Sequence, residues 1–278
     1  MQLRQQRFGE SQRGSDSVEL DWAFYQRHFN DHFSLKAGRI PLPLGIFNEA
    51  GGAAMTSPFF RPAYEFYDRE YTSKTLDGAL ASLSLPGPRR WSFDVDGYYG
   101  RWALEQWNRS DEVDAKNAYG AQVWANTPID GVRIGAGAYR CDVDPPVGVT
   151  VDYVMLHGSV DADLDRWRFS TEYLSGNLDR YGTYRAGYAQ VGYQFTTRFS
   201  VHARRSVSRM NVTVNGHHLH VPLSEGTGLS FNYAATPSIL FKLEGHTNDG
   251  LLREDVPRNI YAQPSQTRYV IASVVASF

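Results

Sequence analysis

Apolar and polar residues alternate along most of this chain with a period of two, which is typical of β-strands. The C-terminal residues show the pattern most clearly, because Val270, Ala272, Val274, Ala276 and Phe278 all fall on one parity. A soluble chain more often ends in a polar, frayed tail. A strand that points all of these apolar side chains the same way needs either a packed core or lipid on that side.

The same alternation recurs in segments of about 8–12 residues that are separated by turn-forming residues. It predicts about fourteen strands, beginning at residues 3–8 and ending with the C-terminal strand. The opposite face is polar where the alternation is clean, and it carries Glu19, Asp21, Asp94, Asp96, Arg166, Arg168, Glu172, Gln190, Gln194, His202, Arg204, Lys242, Glu244 and His246. In a β-sandwich such a face meets solvent, whereas in a membrane barrel it encloses water while the apolar face meets lipid.

The lengths of the connections between these segments distinguish a membrane barrel from a β-sandwich. From Ala79 onward, short connections alternate with longer ones that are rich in Gly, Asn and Asp. The short connections are 86–90, 126–131, 161–165, 196–198 and 235–238, and the longer ones are 101–117, 142–148, 174–183, 206–226 and 247–266. Short turns at one end and long loops at the other are typical of up-and-down membrane barrels, whereas Greek-key sandwiches mix the two ends. The pattern therefore predicts an all-β, antiparallel up-and-down transmembrane β-barrel, a single domain over residues 1–278 with a periplasmic C-terminus.

The composition narrows the possible functions. The formal net charge of the 278 residues is −2, so no broad attraction to nucleic acid is expected. Cys141 is the only cysteine, which excludes an internal disulfide framework. We find no Gly-rich phosphate loop or cofactor fingerprint and expect no cofactor. The first eight residues lack the apolar segment of a signal peptide, so an exported protein would have to be a mature or truncated form.

Aromatic residues make up 14% of the chain, and a group of them lies near the predicted strand ends. This group comprises Trp22, Trp91, Tyr98, Tyr99, Trp102, Trp107, Trp124 and Trp167. Amphipathic rings favour the headgroup level of a bilayer, so these residues are expected to form aromatic girdles. Ordinary strand propensity is the alternative explanation.

Three segments resemble those of Gram-negative outer-membrane porins. Residues 34–49 read SLKAGRIPLPLGIFNE, residues 58–78 resemble the loop that follows in that family, and residues 230–244 read SFNYAATPSILFKLE. The C-terminal Phe278 resembles the signal that the barrel assembly machinery recognises. The resemblance implies a monomeric or trimeric channel for small hydrophilic solutes in the bacterial outer membrane, with outer-membrane lipid, the barrel assembly machinery and small polar solutes as partners and a homotrimer as one possible assembly.

The chain departs from the porin pattern in two respects. Porins carry a signal peptide and often have about sixteen strands, whereas about fourteen are visible here and no signal peptide is. A start codon assigned too late, or a truncated chain, would account for both differences. We therefore expect 14–16 strands in the complete protein.

The longest segment without predicted structure spans residues 46–76. In porins such a loop often folds into the lumen and narrows it, although it could instead cap the outer mouth. Loops of this length are normally functional or disordered. We expect it to fold inward, with constriction residues Phe59, Phe60, Arg61, Tyr67, Asp68 and Arg69.

Charged residues on the inward parity are the strongest candidates for functional groups. The residues predicted to line the pore are Lys36, Asp94, Asp96, Arg166, Arg168, Arg185, His202, Arg204, Lys242 and Glu244. Rings of Arg and Lys favour anion passage, and the acidic residues on earlier strands would give opposite walls opposite signs. The alternative is that these charges pair and leave a neutral pore.

Other clusters are weaker candidates for chemistry. His217, His218 and His220 form the densest potential metal cluster, but zinc needs three or four convergent ligands, so a solvated loop is favoured. The segment that begins at His246 resembles the histidine segment of outer-membrane phospholipase, but Asn248 stands where the serine would be needed. The pairs Asp94/Asp96 and Asp142/Asp144 could activate water or bind Ca²⁺, although no histidine lies in register with them.

The sequence leaves three classes of function open. We expect a porin, which is not an enzyme, for passive diffusion of small hydrophilic solutes or ions. A barrel enzyme of the phospholipase or protease type is the second class. A soluble all-β binding protein is the third.

Overall fold

The computed structural model describes residues 1–6, 15–48, 57–67, 72–105, 112–144, 149–214, 217–251 and 265–277. These residues form fourteen strands: β1 (Gln2–Gln6), β2 (Ser15–His28), β3 (Phe33–Pro41), β4 (Thr75–Pro86), β5 (Ser92–Glu105), β6 (Glu112–Asn126), β7 (Val132–Val143), β8 (Val151–Leu164), β9 (Trp167–Leu178), β10 (Gly182–Gln194), β11 (Phe199–Val214), β12 (His217–Thr236), β13 (Ile239–Gly250) and β14 (Ser265–Ala276). No helix among them is long and apolar enough to cross a membrane.

Each strand pairs antiparallel with the next one along the chain, so the sheet is a single up-and-down meander. Within the described ranges no ladder joins β1 to β14, and the sheet is not closed. The all-β, antiparallel up-and-down fold with about fourteen strands is confirmed.

The connections divide between the two ends of the sheet. At one end, called here the turn end, every described connection is short: residues 29–32, 87–91, 127–131, 165–166, 195–198 and 237–238. The other end, the loop end, carries the β3–β4 loop of residues 42–74. The sequence alternation predicted the short turns. Its longer loops at residues 101–117 and 174–183 are wrong, because β5 continues to Glu105 and β6 begins at Glu112, and only Asp179–Tyr181 separates β9 from β10.

The prediction that residues 206–226 form a loop is wrong. β11 and β12 continue through this segment as a long hairpin, with a register irregularity between Ser208 and Arg209. β-Branched residues such as Val207, Val212 and Val221 favour strand structure here, and the polar residues between them had suggested a loop.

The two faces of the sheet differ in exposure and chemistry. The outer face presents large apolar and aromatic side chains to the surroundings, including Tyr99, Tyr119, Leu156, Trp167, Phe169, Tyr173, Leu229, Phe231, Tyr233, Phe241, Leu243, Val270 and Val274. The inner face is buried in alternate positions and has two zones. On β4–β10 it is mainly apolar and aromatic, with Leu80, Tyr98, Trp102, Tyr139, Tyr153, Met155, Leu174, Tyr184 and Tyr188. On β11–β13 it is mainly polar, with His202, Arg204, Ser206, Ser208, Ser224, Ser230, Asn232, Lys242, Glu244 and Asn248.

Aromatic rings cluster on the outer face at the turn end. The Trp167 ring lies 5.8 Å from Phe169 and 4.7 Å from Tyr193, and Phe195 lies 5.7 Å from Phe199. Three residues predicted for the girdle are instead buried on the inner face: Tyr98, Trp102 and Trp124. Their parity places them inside, where they pack against the apolar zone. Trp107 lies outside the described residues.

Candidate functional site

The β3–β4 loop crosses the inner face of the sheet and hydrogen-bonds to strands far apart in sequence. The Gly45 amide donates to Oε1 of Gln122 on β6 at 2.7 Å. At the other side, the Phe60 amide donates to Oε1 of Glu244 on β13 at 2.5 Å. Because these partners lie on opposite parts of the sheet, the loop lies across the interior and narrows it.

Glu172 on β9 anchors the first part of the loop. Its Oε1 accepts the Ile46 amide at 2.8 Å and the Ser159 hydroxyl at 2.7 Å. Its Oε2 accepts the Tyr67 hydroxyl, and the Tyr188 hydroxyl at 2.6 Å. Glu172 is 2% exposed. The four donors supply the hydrogen bonds that its carboxylate would make to water if it were exposed.

Local backbone geometry allows this close approach. Gly45 has φ of +63°, and a Cβ built on it would overlap Oε1 of Glu172. Only glycine adopts such a conformation without strain and leaves room for the carboxylate. Tyr67 completes the junction, since its hydroxyl oxygen also accepts the Phe47 amide at 2.8 Å. Burial, followed by the neighbouring Glu172 carboxylate, raises the pKa of Tyr67 well above its ordinary value.

Lys242 on β13 anchors the second part of the loop. Its Nζ donates to the carbonyl oxygen of Ser57 at 2.7 Å and to that of Phe59 at 3.2 Å. The Ser230 hydroxyl donates to the carbonyl oxygen of Pro58 at 2.8 Å, beside the same turn. With Lys242 only 3% exposed, its ammonium group serves to bind loop carbonyls.

Arg204 on β11 contacts the loop in two ways. Its Nη1 donates to the carbonyl oxygen of Arg61 at 3.0 Å. Its guanidinium carbon lies 4.2 Å from the centre of the Phe59 ring, within cation–π distance. The loop is therefore fixed to both the acidic and the basic side chains of β9, β11 and β13.

Apolar contacts fix the middle of the loop against the other zone of the interior. The fully buried Phe66 ring lies 6.1 Å from Tyr188 and 6.5 Å from His157, in edge-on arrangements. The Tyr184 hydroxyl donates to the carbonyl oxygen of Glu65. This packing fills the interior beside β8–β10.

A small polar cavity lies between the loop and β11–β14. It has a volume of about 20 Å³ and is bounded by Glu65, Arg204, Ser206, His246 and Asn248 among others. That volume holds roughly one water molecule.

No protein-family model matches this chain, and no curated protein matches it. Solved structures do match. OmpT of Vibrio cholerae has a TM-score of 0.61 at 10% identity over 93% of this chain and 81% of that one. The trimer form of in-vitro folded OmpT from Vibrio cholerae has a TM-score of 0.60 at 11% identity over 94% and 82%. Salmonella typhi OmpF in complex with daunomycin has a TM-score of 0.62 at 13% identity over 94% and 80%. The chain has the outer-membrane β-barrel fold.

Four of the residues predicted to line the pore of this barrel are buried on the inner face, at and around the loop contacts. They are His202, Arg204, Lys242 and Glu244. The contacts of Arg204, Lys242 and Glu244 are with the loop, so these three charges hold the loop and do not form an open ring.

The other predicted pore residues lie nearer the turn end. Asp96 accepts the Ser82 hydroxyl at 2.6 Å, and Asp94 accepts the Ser84 hydroxyl at 2.7 Å. On β9, Arg168 forms an ion pair with Asp163 at 2.6 Å.

Lys36 and Arg166 are the remaining predicted pore residues on this side of the sheet. The Nζ atom of Lys36 on β3 lies 5.5 Å from the centre of the Phe24 ring, within cation–π distance. Arg166 is exposed in the β8–β9 turn. The contact between Lys36 and Phe24 does not involve the β3–β4 loop.

Arg185 is not in the lumen, so its prediction as a pore residue is wrong. It is exposed, and it shares its parity on β10 with Ala189, Val191 and Tyr193, whereas Tyr184 and Tyr188 point inward. The alternation of β10 itself assigns Arg185 to the outer face.

The predicted constriction residues divide into buried and accessible groups. Phe59 is fully buried, and Phe60 is 39% exposed. Arg61 and Tyr67 are half-buried. Asp68 and Arg69 lie outside the described residues, as does Phe278.

The histidine cluster lies on strand β12, where the sequence predicted a solvated loop. His218 Nδ1 is 3.0 Å from Oγ1 of Thr213, and His220 Nδ1 is 2.5 Å from Oδ1 of Asn211. Across the described ranges, no group of three or more His, Cys, Asp or Glu side chains could hold a metal ion.

The Asp142/Asp144 pair lies at the loop end of the sheet, and the Asp94/Asp96 pair lies nearer the turn end. Asp144 accepts the Lys116 ammonium at 2.8 Å and the Thr150 hydroxyl at 2.6 Å. The hydrogen bond from Lys116, followed by that from Thr150, lowers the pKa of Asp144. Asp142 accepts the side-chain amide of Asn117 at 2.9 Å. These contacts tie β6 to β7 and its following loop.

The histidines offer only fragments of a hydrolase site. His202 Nε2 lies 3.0 Å from the Ser200 hydroxyl, and His246 Nε2 lies 2.9 Å from Oε2 of Glu244. Among the described residues no acid hydrogen-bonds His202 and no serine hydroxyl hydrogen-bonds His246. Neither histidine therefore joins a nucleophile to an orienting acid, as a catalytic triad requires.

Sequence reasoning missed Glu172 and Gln122 as loop anchors. Glu172 had the inward parity, but nothing in the alternation shows which inward residues meet a loop. Gln122 carries no signal beyond its parity on β6.

Proposed function

We propose that this protein is a porin: an outer-membrane channel for passive diffusion of small hydrophilic solutes or ions, narrowed by its β3–β4 loop. The observation that carries the proposal is the attachment of this loop to charged inner-wall residues at Glu172, Lys242 and Glu244. A loop held across the interior by the wall leaves a passage of limited size, which suits selection by size.

The two-faced sheet supports a position in a bilayer. The exposed outer face is apolar and bears aromatic rings at the turn end, as expected where strands meet hydrocarbon and headgroups. The short turns are periplasmic in this proposal, and the loops and the long β11–β12 hairpin face outward. The C-terminus is then periplasmic, where the barrel assembly machinery would recognise Phe278.

A homotrimer in outer-membrane lipid is part of the proposal. Its support is the trimer form of OmpT from Vibrio cholerae, which shares the fold.

The accessible constriction residues Phe60 and Arg61, whose ring centre and guanidinium carbon are 5.9 Å apart, would contact passing solute.

Liposome swelling tests this function. Vesicles that contain the purified protein should swell in small uncharged sugars, and the rate should fall as the sugars become larger. The absence of swelling from vesicles that contain folded, heat-modifiable protein would contradict the proposal.

The proposal includes no catalysis. The Ser200–His202 contact is the observation that would favour a hydrolase. Labelling of the folded protein by a serine-hydrolase probe, lost in Ser200→Ala, would contradict a purely passive channel.

A further inference from the structure

Four basic residues on the outer face form ion pairs with carboxylates. Arg39 pairs with Asp77 at 2.8 Å, Lys116 with Asp144 at 2.8 Å and Arg140 with Asp152 at 2.7 Å. Arg205 pairs with Glu225. In each case both charges come from the same face of neighbouring segments, so each of these four charges is balanced locally.

Arg185 and Arg209 differ from these four residues. They are direct partners in the β10–β11 ladder, and both are exposed. Directly opposed residues of an antiparallel pair have Cβ atoms about 4.5–5.5 Å apart, and like charges in that position are destabilising. Within the part of the chain that the structure describes, neither arginine forms an ion pair or a hydrogen bond.

The residues that directly face the two arginines across the ladder are not acidic. Ser175 faces Arg185 from β9, and Pro222 faces Arg209 from β12. The next positions on the same face toward the loop end are Thr183 and Asn211. Glu225, which faces Val207 and lies diagonally from Arg209, is already paired with Arg205. An anion from outside the chain is therefore the simplest neutralising partner.

The position of the pair along the strand indicates where that anion lies. Arg185 is eight residues from Tyr193 of the turn-end aromatic cluster. At about 3.3 Å per residue and a tilt of about 40°, this places the pair roughly 20 Å higher along the membrane normal. The apolar belt of such a barrel is about 25 Å tall, so the arginines lie near its loop-end border. Tyr173, whose exposed ring precedes Ser175 on the same face of β9, is suited to the same headgroup level.

The geometry points to a lipid-phosphate site formed by Arg185 and Arg209 on the outer wall. The guanidinium groups would bind the phosphate of an acylated headgroup, such as that of lipid A, whose chains lie along the apolar belt. Arginine suits this role because its planar fork binds phosphate oxygens in pairs. The inference rests on the proposed outer-membrane location, in which the loop end faces the outer leaflet.

Lipid retention by the detergent-solubilised full chain tests this site. Native mass spectrometry would measure binding of diphosphoryl lipid A to wild type and to Arg185→Gln/Arg209→Gln. We expect the double variant to bind about tenfold more weakly or worse, because two charge-assisted contacts are removed. Dephosphorylated lipid A should bind wild type as weakly as diphosphoryl lipid A binds the double variant.

Arg140→Gln is the matched control, since it removes an outer-face arginine that already has a carboxylate partner. This variant should retain diphosphoryl lipid A. Equal binding by wild type and the double variant would overturn the proposal, as would equal loss in Arg140→Gln. Displacement of lipid A by millimolar inorganic phosphate would assign the site to free phosphate and overturn the lipid proposal.

This readout is independent of transport. A variant series that forms pores but shows no arginine-dependent lipid binding contradicts only the lipid site. Arginine-dependent binding by a protein that gives no liposome swelling contradicts only the channel.

Discussion

Glu172 is an acidic side chain almost fully removed from solvent, yet the structure gives it no basic partner among the described residues. Its carboxylate is held instead by donors from the loop and from neighbouring strands, namely the Ile46 amide and the hydroxyls of Tyr67, Ser159 and Tyr188. A buried acceptor with this many donors fixes the position of the loop, because each donor would be left unsatisfied without it.

Replacement of Glu172 by leucine is predicted to loosen the loop. Each buried donor left without an acceptor costs about 1–3 kcal/mol, and release of the loop relieves that cost. Limited proteolysis of the folded protein should cleave the loop faster, and the channel current should rise. Glu225→Leu, at an exposed outer-face site, is the control, and equal cleavage of the two variants would argue against Glu172 as the anchor.

Ionisation of Tyr67 is predicted to make the stability of the folded protein fall at alkaline pH. Its pKa is raised in the folded protein, so the unfolded chain loses this proton first. The contribution of protonated Tyr67 to the free energy of unfolding is fully present below the ordinary tyrosine pKa of about 10. It is lost as the pH rises from there through the pKa of Tyr67 in the folded protein. The thermal unfolding midpoint of wild type should fall more steeply above about pH 10 than that of Tyr67→Phe. The control Tyr99→Phe, on the outer face, should show the same pH dependence of the midpoint as wild type. Parallel pH dependences for wild type and Tyr67→Phe would show that the raised pKa of Tyr67 does not contribute to stability.

At the residue scale the sequence predicted parity better than role. Alternation assigned Lys242, Glu244 and Arg204 to the inner face, where the structure has them. Their use as loop anchors depends on contacts between segments more than a hundred residues apart, which no local pattern contains. Arg185 was assigned inward against the alternation of its own strand.

At the scale of elements, the β3–β4 loop is the feature that most changes the interior. Its entry depends on the backbone of Gly45, whose positive φ turns the chain toward Glu172. The sequence left open whether this loop enters the lumen or caps it, because both arrangements bury the same aromatic side chains.

Gly45→Ala is therefore predicted to disrupt the loop entry. A side chain at this φ is strained by about 1–3 kcal/mol, and its Cβ would overlap Glu172. The variant should show faster loop cleavage and altered current with the barrel still folded. Gly97→Ala is the matched control, since a Cβ there meets nothing within 4 Å. Similar behaviour of the two variants would contradict a role for Gly45 in the loop entry.

The outer face makes a prediction about lipid contact. Leu229 is exposed and lies four residues from both Tyr233 and Glu225 on β12, so it lies near the middle of the apolar belt. Leu229→Arg should destabilise the protein in lipid vesicles by about 2–4 kcal/mol in urea titrations. Thr247→Arg, nearer the loop end of β13, should cost much less. An equally small effect at Leu229 would mean that this face does not meet hydrocarbon.

Elements were predicted well where alternation was strong and poorly where polar residues interrupted it. The turn-end connections follow from turn-forming residues between alternating segments. The β11–β12 hairpin was mistaken for a loop because its polar outer residues and its bulge near Ser208 weaken the pattern. Trp102 is buried inside the barrel against Tyr139, with the two rings 5.0 Å apart. Trp124 is buried against Gly135, and the guanidinium carbon of Arg133 lies 4.4 Å from its ring centre.

At the scale of the whole molecule, the apolar outer face, the polar inner strands and the attached loop together support a narrow channel. The interior beside β4–β10 is filled by aromatic packing, so the proposed channel would have to use the space between the loop and β11–β14. The overall fold could be predicted from connection lengths and alternation. The division of the interior into an apolar, filled zone and a polar zone could not be predicted, because it depends on where the folded loop lies.

Ion current through single molecules in a planar bilayer distinguishes a conducting channel from a plugged barrel. The purified full chain should produce discrete, ohmic steps, and Glu172→Leu should give larger or noisier ones as its loop is released. Membranes that stay silent although they contain correctly folded protein would contradict a channel through this interior.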